Sequence, residues 1–243
     1  MANTSLQSLR VSGSSHIPGG HYDEVHGSGS IRIDGNLTVN RLKTSGSIRG
    51  QGALKTQELS TSGSTRIEGS VEVVEGRCSG SFRVDGGLRV LGEIVLSGSS
   101  RISGAIAGEE VRGSGALRVG DEVALEKLRW SGSVHCPGLV SADVIELHIQ
   151  GISEVGELAG AQIQIQRGSF ATLTRWLSFL GTHGHLTVSE VSGDEVLLEA
   201  TDAAIVRGER VVIGAGCRID RVEYRESLTV HPDSMVGQSI QVD

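Results

Sequence analysis

The chain has little of what most globular domains are built around. Aromatic residues make up 3% of its 243 positions, so a core of large rings is excluded. Proline and cysteine each occur only three times. Cys78, Cys136 and Cys217 are odd in number, far apart and without a CxxC pair, which argues against a disulfide framework and fits a reducing compartment. No stretch of about 18 consecutive apolar residues is present to span a bilayer as a helix. Residues 1–10 lack the continuous apolar segment of a signal peptide. The formal net charge is -7 with both signs interspersed, so no basic footprint for nucleic acid or for an anionic membrane exists. These absences predict a cytoplasmic protein that does not bind nucleic acid.

What is abundant is glycine, at 35 residues, and it is periodic. The phrase Ser28-Gly29-Ser30-Ile31-Arg32-Ile33-Asp34-Gly35-Asn36-Leu37-Thr38-Val39 returns in altered form along the chain. Its marker glycines are Gly13, Gly29, Gly46, Gly63, Gly80, Gly98, Gly115 and Gly132, spaced 16 to 18 residues apart. No Gly-X-Y period is present, which excludes collagen. A fixed repeat of this size marks a solenoid.

Counting from each marker glycine divides the repeat into three short apolar pairs. The first pair is Ile31/Ile33, Phe82/Val84 or Leu117/Val119. The second is Leu37/Val39, Val71/Val73, Leu88/Val90 or Val123/Leu125, and the third is Leu42/Thr44, Leu59/Thr61 or Leu128/Trp130. Each pair has the period-2 spacing of a strand with one buried face. Three strands per coil and no helix-length segment predict an all-β fold, a parallel β-helix of coils about seventeen residues long. The marker glycines and those six residues on, such as Gly35, suit corners. One β-helix domain is expected over 1–243, with 1–8 as a short flexible tail and 167–243 as degenerate coils. In that last part Gly168 and Gly184 are taken as markers, and Val196/Leu198, Val211/Ile213, Cys217/Ile219, Leu228/Val230 and Ile240/Val242 as further paired positions.

Three features are candidates for function. First, an outward position holds Arg32, Arg49, Arg66, Arg83, Arg101 and Arg118, then His135, in successive repeats. Acids such as Asp34, Glu68 and Asp85 are expected to screen this ladder, which favours a solvated, paired surface over a basic binding stripe. Second, Phe170, Trp176, Leu177, Phe179 and Leu180 form the most apolar segment and the expected partner patch. Third, a β-helix ends in unpaired strand edges, and an uncapped edge is a template for another chain. Leu6, Leu9 and Val11 at one terminus, and Met235, Val236, Ile240 and Val242 at the other, are the expected polymerisation contacts.

Catalytic and ligand-binding signatures were sought along the same chain. His183 and His185 share a strand face, and His135 precedes Cys136, but spacing supplies no third metal ligand. No nucleophile elbow in a strand-to-helix setting and no phosphate loop ending in Gly-Lys-Ser/Thr is present. The expectation is a non-enzyme without metal, cofactor or small-molecule substrate.

The seventeen-residue period, the Ser-Gly-Ser-Ile-Arg-Ile-Asp-Gly-Asn-Leu-Thr-Val phrase and the tail around Val211-Val212-Ile213-Gly214-Ala215-Gly216-Cys217-Arg218-Ile219 resemble the bactofilins, polymer-forming bacterial cytoskeletal proteins, and within them the longer Bacillus-type members. The resemblance implies a right-handed β-helix and nucleotide-independent filaments, with self or a second bactofilin as partner. It also implies scaffolding at the membrane, in cell shape or in flagellar assembly and motility. Membrane association stays open as an expectation of the resemblance, although residues 1–9 are only weakly apolar and do not themselves support it. Two other readings stay open. One is an acyltransferase-like or carbonic-anhydrase-like β-helix enzyme, for which Ile213 to Ile219 offers one hexad-like phrase. The other is a binding scaffold that does not polymerise.

Overall fold

The fold is that of a computed structural model, which describes residues 6–168 and 184–243. Among the described residues there is no helix. The strands are β1 (Gln7–Gly50), β2 (Leu54–Ile67), β3 (Val71–Val84), β4 (Leu88–Ile102), β5 (Ile106–Val119), β6 (Val123–Ile149), β7 (Ile152–Arg167), β8 (His185–Leu198), β9 (Thr201–Ile213), β10 (Arg218–Val230) and β11 (Met235–Gln241). They hydrogen-bond in chain order, β1 to β11. Neighbours such as β1 and β2, or β8 and β9, run parallel. The protein is a parallel β-solenoid with coils of about seventeen residues, as the repeat requires. Two compact units divide it: Met1–Gly113 with Arg118–Gly120, and Ser114–Leu117 with Asp121–Asp243.

In the first unit identical positions of the repeat stand above one another. Leu37 pairs with Leu54, Leu54 with Val71 and Val71 with Leu88. Gly46, Gly63, Gly80 and Gly98 form a second column in the same registers. One extra residue is taken up between β3 and β4, where the register shifts between Val73 and Glu75. The apolar pairs read from the sequence all face inward: Ile31, Ile33, Leu37, Val39, Leu42, Val71, Val73, Phe82, Val84, Leu88 and Val90 are each 3% exposed or less. Each buried aliphatic side chain contributes roughly 1.5–3 kcal/mol, so coil-on-coil stacking supplies most of the stability. Thr44, Thr56, Thr61, Thr65 and Ser100 also point inward, taking apolar positions of the period. Thr56 meets its polar requirement by donating to the Glu58 carbonyl at 3.0 Å.

The second unit keeps the inward columns while its coil length varies. Leu117, Val123, Leu125, Leu128 and Trp130 are buried as expected, as is Val119 of the first unit. The Trp130 indole N–H donates to the Gly115 carbonyl at 3.1 Å. Coil spacing is 18 or 19 residues between β6 and β7, as for Leu139 with Glu157 and His135 with Glu154. It is 15 between β8 and β9, as for Leu186 with Thr201. Val196, Leu198, Val211, Ile213, Cys217 and Ile219 are buried.

Two expectations are corrected here. Gly168 and Gly184 are not consecutive markers, because β7 pairs directly with β8 at an offset of 33, Ile152 opposite His185. The Gly168 amide donates to the Ile149 carbonyl at 3.0 Å and the His185 amide to the Gly151 carbonyl at 3.0 Å. Gly168 and His185, which flank residues outside the described part, therefore both rest on one coil. Leu228/Val230 is the second correction, and its side chains share the exposure of the edge residues Ile240 and Val242. Val230, Ile240 and Val242 are 39%, 36% and 38% exposed and Leu228 is half-buried, because no further coil covers them.

Candidate assembly surfaces

The outer surface is organised by the same stacking that builds the core. An outward side chain has its counterparts one coil above and below, so ion pairs form between coils. Arg41 and Lys43 reach Glu58 at 2.7 and 3.2 Å, and Lys55 reaches Glu72 at 2.7 Å. Hydrogen bonds from Arg41 and Lys43 hold the Glu58 carboxyl below the usual range, and Lys55 does the same to Glu72. Arg210 spans two coils, bonding Glu195 on one side and Glu226 at 2.8 Å on the other. The acids expected to screen the arginine ladder do so: Arg32 lies 3.9 Å from Asp34, Arg49 3.3 Å from Glu68 and Arg66 2.9 Å from Asp85. These exposed pairs contribute little each and set register more than stability.

The terminal edges differ from every internal coil. At the first unit's edge, Leu6 is 44% exposed and Leu9 and Val11 are half-buried. A Cβ added at Gly29, Gly46 or Gly63 would strike the glycine carbonyl of the coil before it, at 2.2–2.4 Å. At Gly13 it would meet nothing within 4 Å, so no described coil lies beneath. At the second unit's edge β11 has β10 as its neighbour and none on the other side. Met235 is 68% exposed, Ile240 and Val242 more than a third, and Val236 is half-buried. The sequence placed all of these residues at edges. Leu228 and Val230 belong to the same surface and were missed, because their apolar alternation is identical to that of a buried pair.

The remaining candidates are resolved more simply. The patch of Phe170, Trp176, Leu177, Phe179 and Leu180 lies outside the described residues, as does His183. His135 pairs with Glu154 at 3.6 Å and His185 with Asp202 at 3.3 Å. His135, Glu154 and Asp202 line an open groove of about 650 Å³ together with Arg218 and Asp220. Among the described residues no three of His, Cys, Asp and Glu approach closely enough to hold a metal ion. All three cysteines are buried and free. Burial pushes the Cys78 thiol up to about 11, the opposite of an activated nucleophile. The hexad-like stretch from Ile213 to Ile219 forms one corner between β9 and β10.

Against known proteins the chain has partial relatives. It is 34% identical over 106 residues to the uncharacterized protein YhbF of Bacillus subtilis (strain 168), a match covering 43% of this chain and 42% of that protein. It is 33% identical over 107 residues to the uncharacterized protein YhbE of the same strain, covering 43% of this chain and 44% of that protein. The match thus spans less than half the length of either relative. No family model matches the chain. No solved structure matches it either.

Proposed function

We propose that this protein is a non-enzymatic scaffold whose copies join end to end into filaments without bound nucleotide. The observation that carries the reading is the open edge at β11. Its backbone ladder is satisfied on one side, and Val230, Met235, Ile240 and Val242 stay exposed around it. An uncovered strand edge with apolar side chains is normally blunted by charge, proline or a covering segment. In β11 itself neither charge nor proline is present, the strand reading Met-Val-Gly-Gln-Ser-Ile-Gln. The edge with Leu6, Leu9 and Val11 is the second docking surface. The partner is a second copy of this chain or a related subunit, in a cytoplasmic setting where the scaffold supports cell shape or flagellar assembly. The resemblance of the repeat to bactofilins supports the same reading.

The test is electron microscopy with sedimentation of purified protein across salt concentrations, without nucleotide. The expected result is thin filaments that Val242→Glu abolishes while the circular dichroism of the strands is unchanged. Discrete particles at every salt concentration, or undiminished filaments from Val242→Glu and Leu9→Glu, would overturn the proposal.

A further inference from the structure

The arginine ladder is not uniformly neutralised, and the reason is visible in the corner that follows it. The amides of Gln51, Glu68, Asp85, Ser103 and Gly120 each donate to the carbonyl of the residue directly after the ladder position of the preceding coil: Ile33, Gly50, Ile67, Val84 and Ile102. These five residues are therefore one structural column. Where it carries an acid, the arginine of the preceding coil is paired, Arg49 with Glu68 and Arg66 with Asp85. Where it carries Ser103 and Gly120, the partner is gone. Arg83, Arg101 and Arg118 have no ion pair among the described residues, although Arg83 stacks directly on Arg66 and beneath Arg101. Arg101 and Arg118 are exposed and Arg83 is half-buried.

We infer that Arg83, Arg101 and Arg118 form a docking column for a short acidic peptide segment of another protein. The three arginines leave successive coils whose backbones lie about 4.8 Å apart, and like charges carried on adjacent coils favour a bound counter-charge. A guanidinium takes a carboxylate in a two-point bond that a lysine cannot make. The column is short, and acids bound its extent: Glu68 and Asp85 stand in the corner column on one side, and Asp121 and Glu122 follow Gly120 directly in the chain. Those acids, with the net charge of -7, repel an extended polyanion or a flat anionic membrane, whereas a cluster of two or three carboxylates fits between them. Charge is also unevenly divided. The unit holding the column has thirteen Lys and Arg against eleven Asp and Glu, and the other has nine against eighteen. The inference does not depend on filament formation, since the column lies on the side of the coils.

The test is fluorescence polarisation of a labelled hexaglutamate peptide with the full chain at low salt. Saturable binding is expected, weakened about tenfold or more in the triple variant Arg83→Ala, Arg101→Ala, Arg118→Ala and lost near 0.5 M salt. The paired-arginine control Arg49→Ala with Arg66→Ala is expected to change it less than twofold. Equal binding by the triple variant, or no binding by the parent chain, overturns the inference. So does displacement of the peptide by single-stranded oligonucleotide or phosphatidylserine vesicles at lower charge concentration than hexaglutamate itself. Sedimentation showing salt-dependent self-association lost in the triple variant would reassign the column to a second copy of the chain.

Discussion

Replacing Gly63 with alanine tests the coil stack at its tightest point. Gly63 has φ +121 and stands over Gly46, and a Cβ there would lie 2.2 Å from the Gly46 carbonyl oxygen. An ordinary carbon–oxygen contact is about 3.3 Å, so the coils must part by roughly 1 Å. Ladder hydrogen bonds near 2.9 Å do not survive that displacement. Losing two or three of them at about 1 kcal/mol each, with about 1–2 kcal/mol of backbone strain, amounts to about 3–5 kcal/mol. Gly35→Ala is the control. Gly35 has φ +80 but nothing within 4 Å of an added Cβ, so the strain of about 1–2 kcal/mol acts alone. Thermal unfolding followed by circular dichroism should place Gly63→Ala lower than the parent by on the order of 10 °C, and Gly35→Ala by a few degrees. Because solenoids unfold by neighbouring coils, hydrogen exchange should also show protection lost from β1 to β3 before it is lost near β9. Equal stability of the two variants would refute the reasoning, since the Gly46 carbonyl would then not lie where the stack places it.

Other consequences can be checked in the same preparations. Trp130→Phe removes the donor to the Gly115 carbonyl and should destabilise by about 1 kcal/mol, and Trp130→Ala by about 3–5 kcal/mol, measured by denaturant titration. The Cys78 thiol is held neutral by burial, raised from 9.0 to about 11, so its contribution is complete below pH 9 and is lost as pH rises through 11. Parent stability should therefore fall over that window by on the order of 2 kcal/mol more than that of Cys78→Ala, and parallel curves would contradict it. Val242→Glu should raise the concentration needed for assembly at least tenfold, read by light scattering, because a charge would have to be buried at the joint.

The sequence by itself determined the period, the three apolar pairs per coil and the terminal edges. A repeat that buries nothing alone must stack, and stacking leaves its first and last coils uncovered. Ile33, Val73 and Leu128 could be assigned to the interior from alternation, and Asp34, Glu68 and Asp85 could be named as acids that screen the arginine ladder. Alternation cannot distinguish a covered rung from an uncovered one, however, so Leu228 and Val230 looked like Val211 and Ile213. Glycine spacing likewise cannot show which coil a marker rests on. Only the direct pairing of β7 with β8 showed that Gly168 and Gly184 rest on the same coil. The pairing state of Arg83 and Arg101 also required the tertiary structure, because a salt bridge between coils depends on which residue the next turn brings to the corner, and there it brings Ser103 and Gly120.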